Sequence, residues 1–415
     1  MDNRLIITRK QDCVKTYYFE NDKLVTIHAE QTGNSILNNI YIGKVKNIVK
    51  NINAAFIEIQ KEEKCYISLK ELENPLICNT GHTAGSIVEG DEIVVQVVKD
   101  AMKTKDPSVS TNLSLSGTYI VVSYPNKKIG FSNKLSSYAK KELKKYMLPY
   151  IDSEFGYIVR TNAADLISEN ESEITDAKAA LLEEKRRIFL QEIAELTVRL
   201  KEIIQISKTR KPFTRLYEAE PKYIQSLKNI KSNTLNKIVT DDSEIYYKME
   251  QFLAEQQPDT LPKLSLYTDE MLSLTKLYRL ETLLKEALDT KVWLKSGGYL
   301  IIEPTEALTV IDVNSGKNVS KKSDKETFFY TNQEAALEIA RQLRLRNLSG
   351  IIVIDFINMT KQKEIDTIMK VLRDAVKKDS VKTNIIDMTA LGLVEITRKK
   401  IEPSLKEQLT LQQGN

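Results

Sequence analysis

Cysteine and histidine are nearly absent from this chain, with three Cys and two His in 415 residues. Cys13, Cys65 and Cys78 are odd in number, lie in the first fifth of the chain and form no Cys-x-x-Cys. That pattern excludes a disulfide framework and a four-cysteine zinc site, and a reducing compartment is the simpler reading. Only His28 and His82 carry imidazole, and they lie far from the strong strands described below, so paired-histidine acid–base catalysis is not supported. Long apolar runs are missing too. Leu5-Ile6-Ile7 is too short for a signal-peptide core, and no stretch reaches the roughly 18 apolar residues of a membrane span. A cytoplasmic protein with no membrane segment is expected. Nor is there a large charge excess: 61 Lys plus Arg against 57 Asp plus Glu leaves +4, which does not by itself argue for nucleic acid.

What the chain does have is length and apolar content for several cores: 41% of residues are hydrophobic and 28% charged, the balance of a soluble multidomain protein. Residues 36 to 118 alternate short apolar runs with turn residues and read as a small all-β module. Gly43-Lys44-Val45, Ala54-Ala55-Phe56-Ile57, Tyr66-Ile67 and Gly90-Asp91-Glu92-Ile93 resemble the S1 version of the OB barrel, interrupted by a polar insertion at about residues 70 to 89. Such barrels bind single strands by stacking bases on exposed aromatics beside cations, and Phe56, Tyr66, Lys99 and Lys105 are placed for this. Any one apolar strand residue is more often buried, so Phe56 by itself reads as core.

Residues 119 to 132 read as strands around Pro125-Asn126, and Phe155 to Thr161 as an apolar strand ending on Arg160 and Thr161. From about Glu173 to Gln205 apolar positions recur at helical spacing, which predicts a long amphipathic helix. Lys208, Arg210, Lys211 and Arg215 around Pro212 read as a basic linker, and residues 216 to 290 as mostly helical. The final stretch changes to strong strands separated by helices, a mixed α/β domain. Thr331 and Glu334 read there as a capping box before Ala335 to Leu345, with Gly350 as the stop. Arg341, Arg344 and Arg346 read either as RNA contacts or as the charged face of a helix over 332–347, the second being the commoner case for i, i+3 spacing.

Two aspartates end apolar strands, in Val310-Ile311-Asp312-Val313-Asn314-Ser315-Gly316 and Ile351-Ile352-Val353-Ile354-Asp355-Phe356. Carboxylates in such settings need a cation or hydrogen bonds. Two that converge make an oxygen-only site suited to Mg²⁺, with Mn²⁺ able to substitute. Asn314, two residues beyond Asp312 on an extended chain, points to the same side and is expected to orient the scissile phosphate. Asp-x-Asn-Ser-Gly is equally a turn signal. A calcium loop fails because its sixth and twelfth places hold Lys317 and Ser323, and a P-loop fails because its first glycine place holds Ile311.

Ser296-Gly297-Gly298-Tyr299, Thr305-Glu306-Ala307-Leu308-Thr309, Ile311 to Gly316, Glu338 to Arg344 and Ile352 to Ile357 together resemble the catalytic part of the ribonuclease E/G family. The resemblance implies a multidomain α/β and all-β architecture. Its parts are an RNase H-like unit from residues 1–35 and 216–280, an S1 domain at 36–118, a 5′-sensor region with the long helix at 119–215, a DNase I-like catalytic domain at 281–400 and a tail at 401–415. It implies a Mg²⁺-dependent endoribonuclease acting on single-stranded, A/U-rich mRNA and rRNA precursors and leaving 5′-phosphate and 3′-hydroxyl ends. Arg160 and Thr161 would bind a 5′-monophosphate, with Phe131 in the sensor loop where the family has a smaller aliphatic residue. Asn358 stands where the family commonly has a third Asp. Lys406 to Asn415 lack the family's Cys-x-x-Cys, so zinc is not expected, and a homodimer or homotetramer is left open. No long tail follows, which fits a compact, G-like enzyme. A non-catalytic S1-type RNA-binding protein and a DNA-directed nuclease are the rival readings.

Overall fold

The computed structural model describes residues 2–31, 35–72, 75–78, 87–101, 106–168, 175–316 and 324–411. Lys105, His82, Lys317, Ser323, the middle of the polar insertion and the last four residues lie outside them. The chain forms a mixed α/β structure of two compact units: Met1–Asn34 with Leu235–Tyr247 and Lys263–Asn415, and Ser35–Thr234 with Lys248–Pro262.

In the second of these units, Ile40–Val49, Ala54–Gln60, Glu63–Ser68, Ser108–Ser110 and Glu92–Lys99 pair in turn, and the first strand closes on the last (Ile40↔Gln96 to Lys44↔Glu92). The result is a five-stranded barrel consistent with an S1/OB-like unit. Strand alternation explains it: Ala55, Ile57, Cys65 and Ile67 point inward and are fully buried, leaving Phe56 and Tyr66 outside. The basic segment at 208–215 is not a linker. Phe213 donates its N–H to the Ile42 carbonyl, Ile42 donates to Thr214, and Arg215–Tyr217 pairs with the first barrel strand. It covers the part of that strand that the hairpin partner, paired only from Lys44 onward, leaves open.

A four-stranded sheet follows, ordered Ile129–Phe131, Gly156–Val159, Ile120–Tyr124, Leu113–Ser116. The strands flanking Pro125-Asn126 form but are not partners, because Phe131 pairs in parallel with Val159. The expected long helix spans Asp176–Ser207, N-capped by Thr175, and buries Phe189, Ile193 and Leu200 in the same core as Ile120 and Tyr157.

In the other unit, Leu264–Leu266, Lys237–Thr240, Arg4–Lys10, Cys13–Glu20 and Lys23–Gln31 form a five-stranded sheet. The expectation of mostly helix over 216–290 therefore missed strands: Lys237–Thr240 is the parallel partner of Arg4–Lys10, a pairing invisible to local periodicity. The second sheet of this unit has the order Lys291–Trp293, Tyr299–Pro304, Leu308–Asn314, Gly350–Asp355, Leu393–Arg398, Thr383–Met388. Helices Asp324–Leu345 and Gln362–Val376 contribute Ala336, Ile339, Ile368 and Leu372 to the core that buries one face of it.

The helix Asp324–Leu345 begins upstream of the expected capping box, so Thr331 is internal and donates to the Thr327 carbonyl. It ends on Asn347 in the left-handed region (φ 49°), with Leu348 N–H on Leu343 and Asn347 N–H on Arg344, so Asn347, not Gly350, is the stop. Nor are its arginines a solvated face. Arg344 pairs with Glu20 at 2.6 Å, Arg341 binds Glu338 and the Leu24 carbonyl, and Arg346 is 7% exposed, its pKa lowered to about 10 by burial.

Candidate functional site

Asp312 and Asp355 are register partners on adjacent parallel strands. Cross-strand partners project to one face, so both carboxylates rise from the face of the sheet opposite the helices, about 5 Å apart at Cα. Ile311, Val313, Ile352 and Ile354 take the alternate positions and are buried, whereas Asp312 is half-buried and Asp355 exposed. The apolar runs noted in the sequence thus supply the buried face, and the two aspartates need not be desolvated.

Several groups fix this end of the sheet. Asn314 Nδ2 donates to Asp312 Oδ2 at 2.8 Å. Gly316 has φ +60°, and a Cβ there would lie 2.3 Å from the Gly297 carbonyl oxygen, while a Cβ on Gly298 would lie 2.7 Å from that of Asn314. Gly298 and Gly316 are therefore required by the contact of two backbones beside the aspartates, and Gly297 by its φ of +89°. Glu334, misread as a cap, accepts N–H bonds from Lys295 and Ser296 at 2.6 and 3.0 Å and holds that loop. Asn332, fully buried two residues earlier, donates to the Ile357 carbonyl at 2.8 Å and accepts from Ile357 N–H at 3.1 Å, which fixes the chain just past Asp355. Asn332 was missed in the sequence because a polar residue inside a helical pattern carries no signal of its partner.

The donor set is oxygen only. No group of three or more His, Cys, Asp or Glu suited to a metal occurs among the described residues, and Asn358 is exposed and brings no third carboxylate. Two accessible carboxylates with an orienting amide fit a hard divalent cation that completes its shell with water and substrate phosphate, and do not fit a closed structural site.

On the barrel, Phe56 pairs with Tyr66, Tyr66 with Ser108 and Ser108 with Lys99, so three of the four proposed strand-binding residues lie in one row across the outer surface. The Phe56 and Tyr66 rings meet edge to face, centroids 6.4 Å apart. Phe56 is half-buried and Tyr66 is 38% exposed. Lys105 lies outside the described residues.

Comparison with known proteins decides the lineage. Residues 114–401 match the model of the Ribonuclease E/G family. The chain belongs to that family. Among curated relatives, it is 32% identical to Ribonuclease G of Escherichia coli (strain K12) over 99% of this chain and 82% of that protein. It is 34% identical to Ribonuclease G of Haemophilus influenzae over 94% and 78%, and 32% identical to Ribonuclease E of Synechocystis over 98% and 58%. Family membership carries the enzyme class with it, an endoribonuclease.

In this family member Arg160 and Thr161 follow directly on Val159, the partner of Phe131. Ser132 N–H reaches the Val159 carbonyl and the Ser132 and Thr161 hydroxyls lie 2.8 Å apart, so the three expected sensor residues are neighbours. The Arg160 guanidinium bonds the Gly117 carbonyl and the Asn229 side chain, and burial lowers its pKa. Beneath it Glu192, fully buried, accepts N–H bonds from Thr118, Tyr119 and Ile120. Burial raises its pKa against the pull of those donors. A polar residue at a buried helical position was the only trace of Glu192 in the sequence. His28 sits near Glu402, its Nδ1 4.0 Å from the carboxylate, and lies far from Asp312 and Asp355 in sequence. No disulfide forms among the described residues, and no helix among them is long and apolar enough to cross a membrane.

Proposed function

We propose that the chain hydrolyses single-stranded RNA internally at an ion site formed by Asp312 and Asp355, in the processing and decay of mRNA and rRNA, leaving 5′-phosphate and 3′-hydroxyl ends. The observation that carries this reading is the register pairing of the two aspartates on the open face of the sheet. Magnesium suits two carboxylates completed by water and phosphate, and Mn²⁺ substitutes. When bound, the cation supplies Lewis-acid polarisation of the phosphate and a water of lowered pKa. The two carboxylates provide the charge that attracts it. Asn314 orients Asp312 with one amide hydrogen and keeps the other for a phosphate oxygen.

The strand is gripped by Phe56, Tyr66 and Lys99, with Lys105 as a fourth contact: the aromatic pair offers base stacking and the lysines phosphate pairing, without demanding a sequence. Arg160 and Thr161, with Phe131 beside them, favour RNA bearing a 5′-monophosphate, because a guanidinium fork next to a hydroxyl suits a terminal phosphate. A phosphate there displaces Gly117 or Asn229 from the guanidinium. We assign residues 1–35 with 216–280 to an RNase H-like unit, 36–118 to the S1 domain, 119–215 to the sensor region and 281–400 to a DNase I-like catalytic domain. The parallel pairing of Arg4–Lys10 with Lys237–Thr240 supports the discontinuous first assignment. We place the enzyme in the cytoplasm.

The test is cleavage of an end-labelled single-stranded RNA with and without Mg²⁺, by the wild type and by Asp312→Asn and Asp355→Asn. Metal-dependent internal cuts are expected, reduced about 10³-fold or more in either variant, since the metal's contribution is several kcal/mol. Full cleavage by Asp355→Asn would remove the metal assignment. Binding without cuts would favour a non-catalytic RNA-binding protein.

A further inference from the structure

The open face of the catalytic sheet carries a second feature beside the aspartates. Asn314 pairs with Tyr299, and Tyr299 with Trp293; Asp312 pairs with Ile301, and Ile301 with Lys291. Cross-strand partners share a face, so Trp293–Tyr299–Asn314 and Lys291–Ile301–Asp312–Asp355 are adjacent rows on the same surface. Neighbouring strands lie about 4.8 Å apart, which puts Tyr299 one strand and Trp293 two strands from Asn314.

Trp293 is 65% exposed, an unusual setting for so large an apolar ring. Its ring lies 5.4 Å from that of Tyr299, inclined at 62°. Lys291 places its ammonium 4.0 Å from the Trp293 centroid and 3.7 Å from that of Tyr299. The two rings hold this cation by cation–π attraction, on the edge strand that leads to the aspartates. A fixed cation against an open aromatic ring is the pair of groups that one nucleotide of a single strand satisfies, phosphate on the cation and base on the ring.

We propose that Trp293, with Lys291 and Tyr299, is a binding platform for one nucleotide of the RNA flanking the scissile phosphate. Its base stacks on Trp293 and its phosphate pairs with Lys291. The platform rests on the reading of Asp312 and Asp355 as the cleavage site, and it adds a strand contact on the catalytic sheet itself. Through it the substrate gains a stacking contact close to the reacting phosphate, uniform binding that lowers KM rather than raising kcat.

Trp293 is the one tryptophan in the chain, so its fluorescence reports the platform directly. The full chain carrying Asp312→Asn is titrated, in Mg²⁺, with a labelled short single-stranded oligoribonucleotide and with an abasic strand of the same length. Quenching of the emission that saturates with the anisotropy isotherm for the base-bearing strand, and is absent with the abasic one, is the expected result. In cleavage assays Trp293→Leu should raise KM about tenfold with little change in kcat, as expected for one lost stacking contact, and Trp293→Phe should restore most of it. RNA binding with unchanged emission, or Trp293→Leu with a wild-type KM, overturns the platform and leaves the nuclease assignment standing. A wild-type chain that makes no cuts overturns that assignment and the platform with it.

Discussion

Asn314 donates its side-chain amide to Oδ2 of Asp312 at 2.8 Å, from two places further along the same strand. Both residues project from one face because the strand repeats every two residues, and the bond fixes which lone pairs of Asp312 turn outward. An orienting partner of this kind typically accounts for 10–100-fold in metal affinity or activity. In Asn314→Ala, the Mg²⁺ concentration giving half-maximal cleavage should rise by about that factor, with the thermal midpoint unmoved. An unshifted metal titration would show that the bond plays no part in the site.

Asn332 is fully buried and satisfies both the N–H and the C=O of Ile357. Replacement by Leu leaves the two backbone groups unpaired in the core, at a cost of about 1–3 kcal/mol each. Denaturant unfolding should show Asn332→Leu destabilised by about 2–6 kcal/mol. Cleavage under folded conditions should also fall, because the chain leaving Asp355 is no longer held. A stable variant with full activity would show that the contact is dispensable.

Arg160 reaches Gly117 and Asn229. If its fork receives the 5′-phosphate, Arg160→Ala should bring the ratio of cleavage rates on 5′-monophosphate and 5′-hydroxyl RNA to about 1 without slowing the hydroxyl substrate. Lysine should not rescue it, since it lacks the planar fork. Asn229→Ala should keep or strengthen the preference by releasing one arm of the guanidinium. Equal ratios in wild type and Arg160→Ala would remove the sensor assignment.

Cys65 is fully buried in the barrel, and burial pushes its thiol up to about 12. A folded value above the unfolded one means that the associated stability is complete below the free-thiol pKa of about 8.5 and is lost as pH rises through about 12. At about pH 8, iodoacetamide should leave Cys65 unmodified in the native chain and label it once denaturant opens the barrel, as read by peptide mass spectrometry. Labelling without denaturant would reveal local opening of that barrel.

Much of this arrangement was legible without coordinates. The long helix, expected over Glu173 to Gln205, spans Asp176–Ser207, because a face repeated over many turns outweighs local exceptions. The Asp312 and Asp355 strands announced themselves as apolar runs ending in carboxylate. The S1-like alternation of short apolar runs over 36–118 marked the small all-β module where the five-stranded barrel forms, although Phe56 taken singly read as core and lies on the outer side. What failed were readings that assumed a local partner. Glu334 looked like a cap and holds the 295–296 loop, Arg344 looked solvated and pairs with Glu20, and the 208–215 segment looked like a linker and completes a ladder with the barrel.

The sequence by itself determined which residues share a face and which strands end in chemistry, since periods of 2 and 3.6 are written in neighbouring positions. Only the tertiary structure decided which faces and strands meet. It set Asp312 in register with Asp355, Arg4–Lys10 beside Lys237–Thr240, and Trp293 in the row of Asn314. Register between distant segments is chosen by the burial of whole sheets and the pairing of their backbone groups, a global balance that no local stretch of sequence records.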